Sequence, residues 1–418
     1  MDAEENIPTE GNWPVDPQED QPISPDRLWV DGCFDFTHHG HAGAMLQAKQ
    51  LGTELLVGIH SDEAIMHNKG PTVMTLDERI AAVEACRWSD RAIPYAPYVT
   101  YLPWVSHYGC KYVVHGNDIT TDSEGKDTYR YVKEAGRFLE VKRTPGISTT
   151  DLVGRMLLFS KSHFIKDINE ALSRNGTDGI ETGKQMFERL SQYATDRTGK
   201  KPWVELHCYS ETSESLAEEI KTLVPGVKPS PDQRIVYVDG SFDLFSSGHI
   251  EFLKQVISIE QEHINHSDPT SSPAYITVGL HSDQTVNRKK GTNYPIMNLY
   301  ERALCTLQCK YVNAIILNAP WTLTTTYLNN FPYGTPKAVY HGATAISKGD
   351  PYAVPKKMGL YARVPQHRYA HVNAEQIVQR ILANRASYED RQRKKGWKQE
   401  GEAELLRKEK EEAALGTS

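Results

Sequence analysis

Val30-Asp-Gly-Cys-Phe-Asp-Phe-Thr-His-His-Gly-His41 joins the end of an apolar run to a glycine turn and two closely spaced imidazoles. Leu28, Trp29 and Val30 read as the end of a strand, and Gly32 supplies a turn with no Cβ in the way. From Ala42 to Leu51 the apolar residues Ala42, Met45, Leu46 and Ala48 recur at helical spacing, with Gly52 as the C-cap. His38 and His41 are therefore expected in a first helical turn, where residues three apart project from the same side. The free N–H groups and dipole of a helix start favour a bound anion, and two imidazoles add donors for phosphate oxygens. A lone histidine here reads as an ordinary polar residue of a solvated turn. The pair, with Gly40 allowing a ligand close to the backbone, points instead to a phosphate site.

Working outward, strand and helix patterns alternate. Glu54-Leu-Leu-Val-Gly-Ile-His60 reads as a buried strand, and a turn or helix leads to His67-Asn-Lys-Gly-Pro71. Thr75 with Glu78 forms a capping-box signature for the next helix. Arg91-Ala-Ile-Pro94 and Lys111-Tyr-Val-Val-His115 are further strands. This alternation predicts an α/β fold with a parallel sheet, whose ligands lie beyond the carboxyl ends of the strands. His38, Ser61, His115, Asp118 and Arg143-Thr-Pro-Gly-Ile-Ser-Thr-Thr150 all fall there. In that last stretch the hydroxyls of Ser148, Thr149 and Thr150 open a helix and predict a second anion cradle; plain capping accounts for one of them.

The pattern then recurs. Val238-Asp-Gly-Ser-Phe-Asp243 repeats Val30 to Asp35, and Val278-Gly-Leu-His-Ser-Asp283 repeats Val57 to Asp62. Lys290-Gly291, Glu301-Arg302 and His341-Gly342 repeat Lys69-Gly70, Glu78-Arg79 and His115-Gly116 in the same order. Five ordered matches identify a duplicated domain. The second copy has Ser246-Ser-Gly-His249 in place of His38-His-Gly-His41, and its counterpart of 143–150 is unrecognisable around Val364-Pro365.

The implied organisation is a disordered leader over 1–26, a catalytic domain over 27–159, a helical segment and linker over 160–233, a degenerate second domain over 234–383, and a charged tail over 384–418 that is a solvated helix or disordered. A formal charge of −7 over 418 residues argues against a basic surface for nucleic acid or membrane. Six cysteines with no CxxC predict reduced thiols, neither a disulfide framework nor a metal site. The sequence has no run long enough to span a membrane, so a cytoplasmic protein is expected.

His38-His-Gly-His41, the lysine of His67-Asn-Lys-Gly-Pro71 and Arg143 to Thr150 together resemble the cytidylyltransferases, a branch of the HxGH nucleotidyltransferase superfamily. The resemblance implies two tandem Rossmann-like nucleotidyltransferase domains with parallel sheets flanked by helices. It implies CTP as donor, with Mg2+, and His38, His41 and Lys69 as the catalytic residues. Gly32, Cys33, Phe34, Gly40, Asp118, Arg143, Thr144, Gly146, Ile147, Ser148 and Thr149 would bind the nucleotide. Tandem copies fit the branch that acts on phosphoethanolamine, for which Asp35 and Asp90, with Tyr98 beside them, are candidates to hold the ammonium. It also implies that the copies pair as an intramolecular pseudo-dimer through 86–90 and 309–313. Phosphocholine and glycerol 3-phosphate are alternative acceptors, and a nucleotide-sensing protein without turnover is the alternative of another class.

Overall fold

The strand ahead of the histidine stretch, β1 (Ser24–Gly32), buries Leu28, Trp29 and Val30 and forms the middle of a five-stranded parallel sheet. The computed structural model describes residues 19–175, 181–212, 217–267, 272–344, 349–391, 393 and 396. The chain divides into two units, Met1–Leu157 with Ile377–Ser418, and Leu158–Gln376.

In the first unit β1 is followed by α1 (His39–Leu51), β2 (Glu54–Ile59), α2 (Asp62–Lys69), α3 (Leu76–Ala85), β3 (Arg91–Pro94), α4 (Leu102–His107), β4 (Cys110–Gly116), α5 (Arg130–Glu134), β5 (Phe138–Val141) and α6 (Thr149–Leu158). The sheet order is β3-β2-β1-β4-β5, so the order reverses between β1 and β4 and opens a crevice at their carboxyl ends. Leu28, Trp29 and Val30 pair in register with Leu55, Leu56 and Val57. One core layer packs Trp29, Leu56, Ile93, Trp104, Val105, Tyr108, Val113 and Val132. The expected capping box of α3 is present in both directions, with Thr75 Oγ1 accepting from the Glu78 N–H and Glu78 from the Thr75 N–H.

The second unit contains α7 (Ile168–Ser173), α8 (Gly183–Tyr193), β6 (Glu205–Thr212), β7 (Ala217–Val224), β8 (Ile235–Gly240), α9 (Ser247–Ser267), β9 (Tyr275–Leu280), α10 (Asp283–Lys290), α11 (Leu299–Leu307), β10 (Ala314–Leu317), α12 (Thr325–Asn329), β11 (Ala338–His341), α13 (Ala353–Lys357) and β12 (Tyr361–Arg363). Its seven-stranded order is β12-β11-β8-β9-β10-β6-β7. The first five strands repeat the first sheet; β6 adds a further parallel strand to β10, and β7 closes the edge antiparallel to β6. The last helix, α14 (Ala374–Ala383), crosses from the second unit into the part of the chain that belongs to the first.

Three boundaries differ from the sequence reading. Ser24, Pro25 and Asp26, assigned to the leader, open β1, because Ser24 N–H donates to the Gly109 carbonyl; residues 1–18 lie outside the described residues. The segment 160–233 is no linker: it supplies α7, α8, β6 and β7, and α7 packs on α8 in the second unit rather than on the first domain. Its strand pattern was hidden by the flanking Pro, Gly and Lys residues. The tail, expected to be a solvated helix or disordered, is helical over 385–391 but not simply solvated, since Tyr388 is buried and these residues belong to the first unit; most of 392–418 lies outside the described residues. Among the described residues no helix is long and apolar enough to cross a membrane.

Candidate functional site

The turn after β1 holds three non-glycine residues in the left-handed region, Phe34 (φ 55°), Phe36 (φ 64°) and Thr37 (φ 41°). Such backbone costs roughly 1–3 kcal/mol per residue and persists only where neighbours enforce it. Two buried groups do so. Arg79 of α3 donates from Nη1 to the Cys33 carbonyl at 2.7 Å, from Nε to the Met74 carbonyl and from Nη2 to Asp62. Asp35 accepts from the N–H groups of Val73, at 3.0 Å, and Met74, at 2.9 Å.

This turn delivers His38 as the N-cap of α1, its Nδ1 accepting from the Gly40 N–H at 3.1 Å. One turn on, His41 stacks on His38 with centroids 3.9 Å apart and planes 16° apart. A Cβ on Gly40 would lie 2.9 Å from both the His38 ring and an Ile147 methyl. Gly40 is thus required to seat the Arg143-to-Thr150 stretch against α1. Gly146 turns that stretch at φ +80°, and Gln47 of α1 clamps the backbone of Lys142 through both its amide donor and its acceptor.

These elements enclose a cleft of about 760 Å³ at the carboxyl ends of β1 and β4, within the range for small-molecule sites. Of the expected catalytic residues His38, His41 and Lys69 all line it. So do Gly32, Cys33, Phe34, Gly40, Asp118, Arg143, Thr144, Ile147, Ser148 and Thr149. Arg143 and Asp118 meet at 3.2 Å, both about half exposed. The Ser148 hydroxyl donates to Asp151 at 2.6 Å and caps the Asp151 N–H, so capping accounts for its present contacts. Lys69, at the end of α2, holds its ammonium 5.6 Å from the centre of the Tyr98 ring.

The two carboxylates expected to hold an ammonium are placed otherwise. Asp35 lines the cleft but is buried, with its oxygens turned to the Val73 and Met74 amides that shape the loop. Asp90 does not line it; it pairs with Lys49 and accepts from the Leu55 N–H at 2.7 Å, tying β3 to β2. Its position after the Cys86-Arg-Trp-Ser run gave no hint of this pairing, because Lys49 lies on the far side of β2 in sequence.

Asp31, passed over in the sequence, is a second buried carboxylate that lines the cleft, at the sheet switch point. It accepts from Tyr129 Oη at 2.7 Å, Thr100 Oγ1 at 2.7 Å and Trp29 Nε1 at 2.8 Å. Burial pushes the Tyr129 phenol well up, with Asp31 adding to the effect, so it stays a donor. Burial pushes the neighbouring His60 and His115 down, leaving both imidazoles neutral near pH 7. The sequence signal was the repeat itself, since Asp239 occupies the matching place. Ser387, Asp390 and Arg391 also line the cleft and have no counterpart in the sequence reading.

A cytidylyltransferase-like family model matches residues 29–155 and 237–387, one match in each copy. The chain is 40% identical to an ethanolamine-phosphate cytidylyltransferase of Mus musculus, covering 88% of this chain and 89% of that protein. It is 38% identical to the enzyme of the same name from Dictyostelium discoideum, covering 89% and 94%. A choline-phosphate cytidylyltransferase A of Rattus norvegicus is 42% identical, but over 32% of this chain and 37% of its own length. Both copies, their order and nearly the whole length are shared with the first two, and the chain belongs to the ethanolamine-phosphate cytidylyltransferase family.

Proposed function

We propose that this chain transfers the cytidylyl group of CTP to phosphoethanolamine, giving CDP-ethanolamine and pyrophosphate. The stacked His38–His41 pair at the start of α1, sharing one cleft with residues 143–149, is the observation that carries this reading. The acceptor's own phosphate oxygen is the nucleophile. It forms the new O–P bond at the α-phosphorus, the bond from that phosphorus to the bridging oxygen breaks, and the electron pair leaves on pyrophosphate. An anionic phosphate needs no protein nucleophile, so catalysis rests on alignment and on stabilising charge as it shifts to the leaving group. His38, His41 and the α1 N–H groups are placed to donate to triphosphate oxygens, and Lys69 supplies a cation on a flexible stem. Arg143, Thr144, Gly146, Ile147, Ser148, Thr149 and Asp118 bind the nucleotide, with Gly32, Cys33 and Phe34 presenting backbone to it.

For the substrate ammonium Asp31 is favoured over Asp90, which does not line the cleft, and over Asp35, whose oxygens are turned to the Val73 and Met74 amides. The Tyr98 ring, which already holds the Lys69 ammonium nearby, offers a cation–π face. Mg2+ is proposed to arrive with CTP, since it prefers phosphate oxygens and waters to an all-protein cage. Six cysteines without a disulfide fit a reducing, cytoplasmic setting. Pairing of the units through 86–90 and 309–313 stays part of the proposal, supported by the duplication; cross-linking mass spectrometry that never joins these segments would remove it.

The deciding assay measures pyrophosphate release from CTP or ATP with phosphoethanolamine, phosphocholine or glycerol 3-phosphate as acceptor. CTP with phosphoethanolamine is expected to dominate by at least tenfold in kcat/KM. A preference for either other acceptor would overturn the substrate, and no release with any pair would overturn the reaction.

A further inference from the structure

The cleft wall made by the end of the chain bears on how substrate is held. Three side chains from residues 380–391 reach three consecutive carbonyls of the loop that follows Lys69. Arg380 donates to the Val73 carbonyl at 3.3 Å, Tyr388 Oη to the Thr72 carbonyl at 2.9 Å, and Arg391 Nη1 to the Pro71 carbonyl at 2.5 Å. Arg380 also forms a bidentate pair with Glu78, at 2.7 and 2.8 Å, the same glutamate that closes the capping box of α3. The Arg391 stem packs over Gly70, whose φ of +91° leaves the loop without a side chain at that point. All these residues belong to the first unit.

Arg391 is more than a latch. Its side chain is 17% exposed and lines the cleft together with His38, His41 and Lys69. Nη1 makes both the Pro71 contact and a 3.6 Å approach to Asp35. Asp35 already accepts from the Val73 and Met74 amides, so it does not require this cation. A guanidinium presents five donors in a planar fork suited to phosphate oxygens. Arg391 and Lys69 both line the cleft, as does Cys33.

We propose that Arg391 is a substrate-binding residue whose guanidinium takes phosphate oxygens in the first-unit cleft. The site is then built from two stretches of chain more than 300 residues apart, and the C-terminal helical run is part of it. The ligand is a phosphate group, either of the CTP triphosphate or of the acceptor phosphomonoester.

The inference rests on the transferase reading above, so activity of the parent chain is its control: a parent without turnover fails that reading, not this one. In the full chain, Arg391→Ala is expected to lower kcat/KM at least 30-fold, and Arg391→Lys to recover part of the loss. A rise confined to the KM of CTP assigns the triphosphate; a rise confined to the KM of phosphoethanolamine assigns the acceptor phosphate. Direct titration with CTP, followed by intrinsic fluorescence, gives a readout independent of turnover. Tyr388→Phe removes a loop contact but keeps the guanidinium, and is expected to stay within threefold of the parent, with its urea midpoint marking any effect on folding. Unchanged kcat and KM values in Arg391→Ala would overturn the proposal. So would equal losses in Arg391→Ala and Tyr388→Phe, which would mark a structural latch.

Discussion

The two copies share the frame of the phosphate turn and differ in what fills it. The same two positions take left-handed backbone in both, Phe34 and Phe36 in the first and Phe242 (φ 46°) and Leu244 (φ 47°) in the second, with Thr37 a third in the first copy. In both a buried arginine from the following helix holds the turn, Arg79 on the Cys33 carbonyl and Arg302 on the Ser241 carbonyl, each at 2.7 Å. In both an aspartate caps two loop amides, Asp35 those of Val73 and Met74, Asp243 those of Ile296 and Met297.

The anion cradles themselves diverge. In the first copy, the glycine of the histidine motif faces an aliphatic side chain, Ile147, and the cleft stays open. In the second, a Cβ on Gly248 would lie 2.0 Å from the Val372 carbonyl oxygen and 2.9 Å from that of Tyr369. The Ser246 hydroxyl donates to the same Val372 carbonyl. Backbone carbonyls thus pack against the helix start of the second copy, and Lys290, the counterpart of Lys69, pairs with Glu375 at 3.4 Å. Burial, with Lys290 adding to it, pushes His249 down to about 3, so this imidazole is neutral at pH 7. What the copies hold in common folds the turn; what differs is the group packed against the helix start.

This contrast is broken most directly by paired substitutions. His41→Ala or Lys69→Ala is expected to lower kcat by about 10²–10³, the usual cost of one preorganised donor, with an unchanged circular dichroism spectrum. Lys290→Ala is expected to leave kcat/KM within twofold. Retention of more than about a tenth of the activity in the first pair, or a large loss in Lys290→Ala, would mean the copies have been given the wrong roles.

The arginine pair should separate stability from turnover. Arg302 and its partner Asp283 are both fully buried, whereas Asp62 opposite Arg79 is 40% exposed. Breaking a buried pair strands a charge and costs about 3–5 kcal/mol, so Arg302→Met is expected to lower the urea midpoint more than Arg79→Met. Arg79→Met, by releasing the turn that carries His38, is expected to lose more activity; the reverse ranking would separate the turn from catalysis.

Acid should act on the second unit through its buried imidazoles. Burial, the leading cause, pushes His281 from 6.5 to about 4. A depressed folded pKa means the unfolded chain takes up the proton first. The contribution is therefore present above pH 6.5 and lost as pH falls toward 4. At pH 5 the loss from this one group is about 2 kcal/mol, readable as a fall in urea midpoint between pH 7.5 and 5. A midpoint independent of pH in that window would contradict it.

The smallest expected effect concerns the ammonium. Asp31→Asn is expected to raise the KM of phosphoethanolamine by roughly tenfold, the scale of a charge-assisted hydrogen bond, with the KM of CTP little changed. Asp90→Asn should leave both values alone and lower only thermal stability, because its partners are Lys49 and the Leu55 N–H. Equal effects on the acceptor KM would return Asp90 to the site.

Much of this was legible in the linear chain. Alternating apolar runs fixed a parallel sheet, the Thr75–Glu78 capping box marked α3, and the spacing of His38, Gly40 and His41 placed both imidazoles at a helix start. These features depend on local backbone preference and periodicity, which a sequence carries directly. The duplication was equally plain, because five motifs recur in order.

Other features depended on contacts that sequence spacing does not reveal. Asp35 stood in the strand-end turn beside the histidines and Asp90 at the end of a helix pattern; only packing turned one to the Val73 and Met74 amides and the other to Lys49. The segment 160–233 became two strands of the second sheet because β10 offered an edge with unpaired backbone groups. The end of the chain, charged and sparse in apolar residues, carried too little hydrophobic signal to suggest a fixed position. Its order comes from Arg380, Tyr388 and Arg391 finding carbonyls and a carboxylate some 300 residues earlier. The sequence by itself determined the fold class, the duplication and the two imidazoles. The tertiary structure decided where each carboxylate turns, what packs against each cradle and which distant cation lines the cleft, because burial and long-range hydrogen bonding assign those roles.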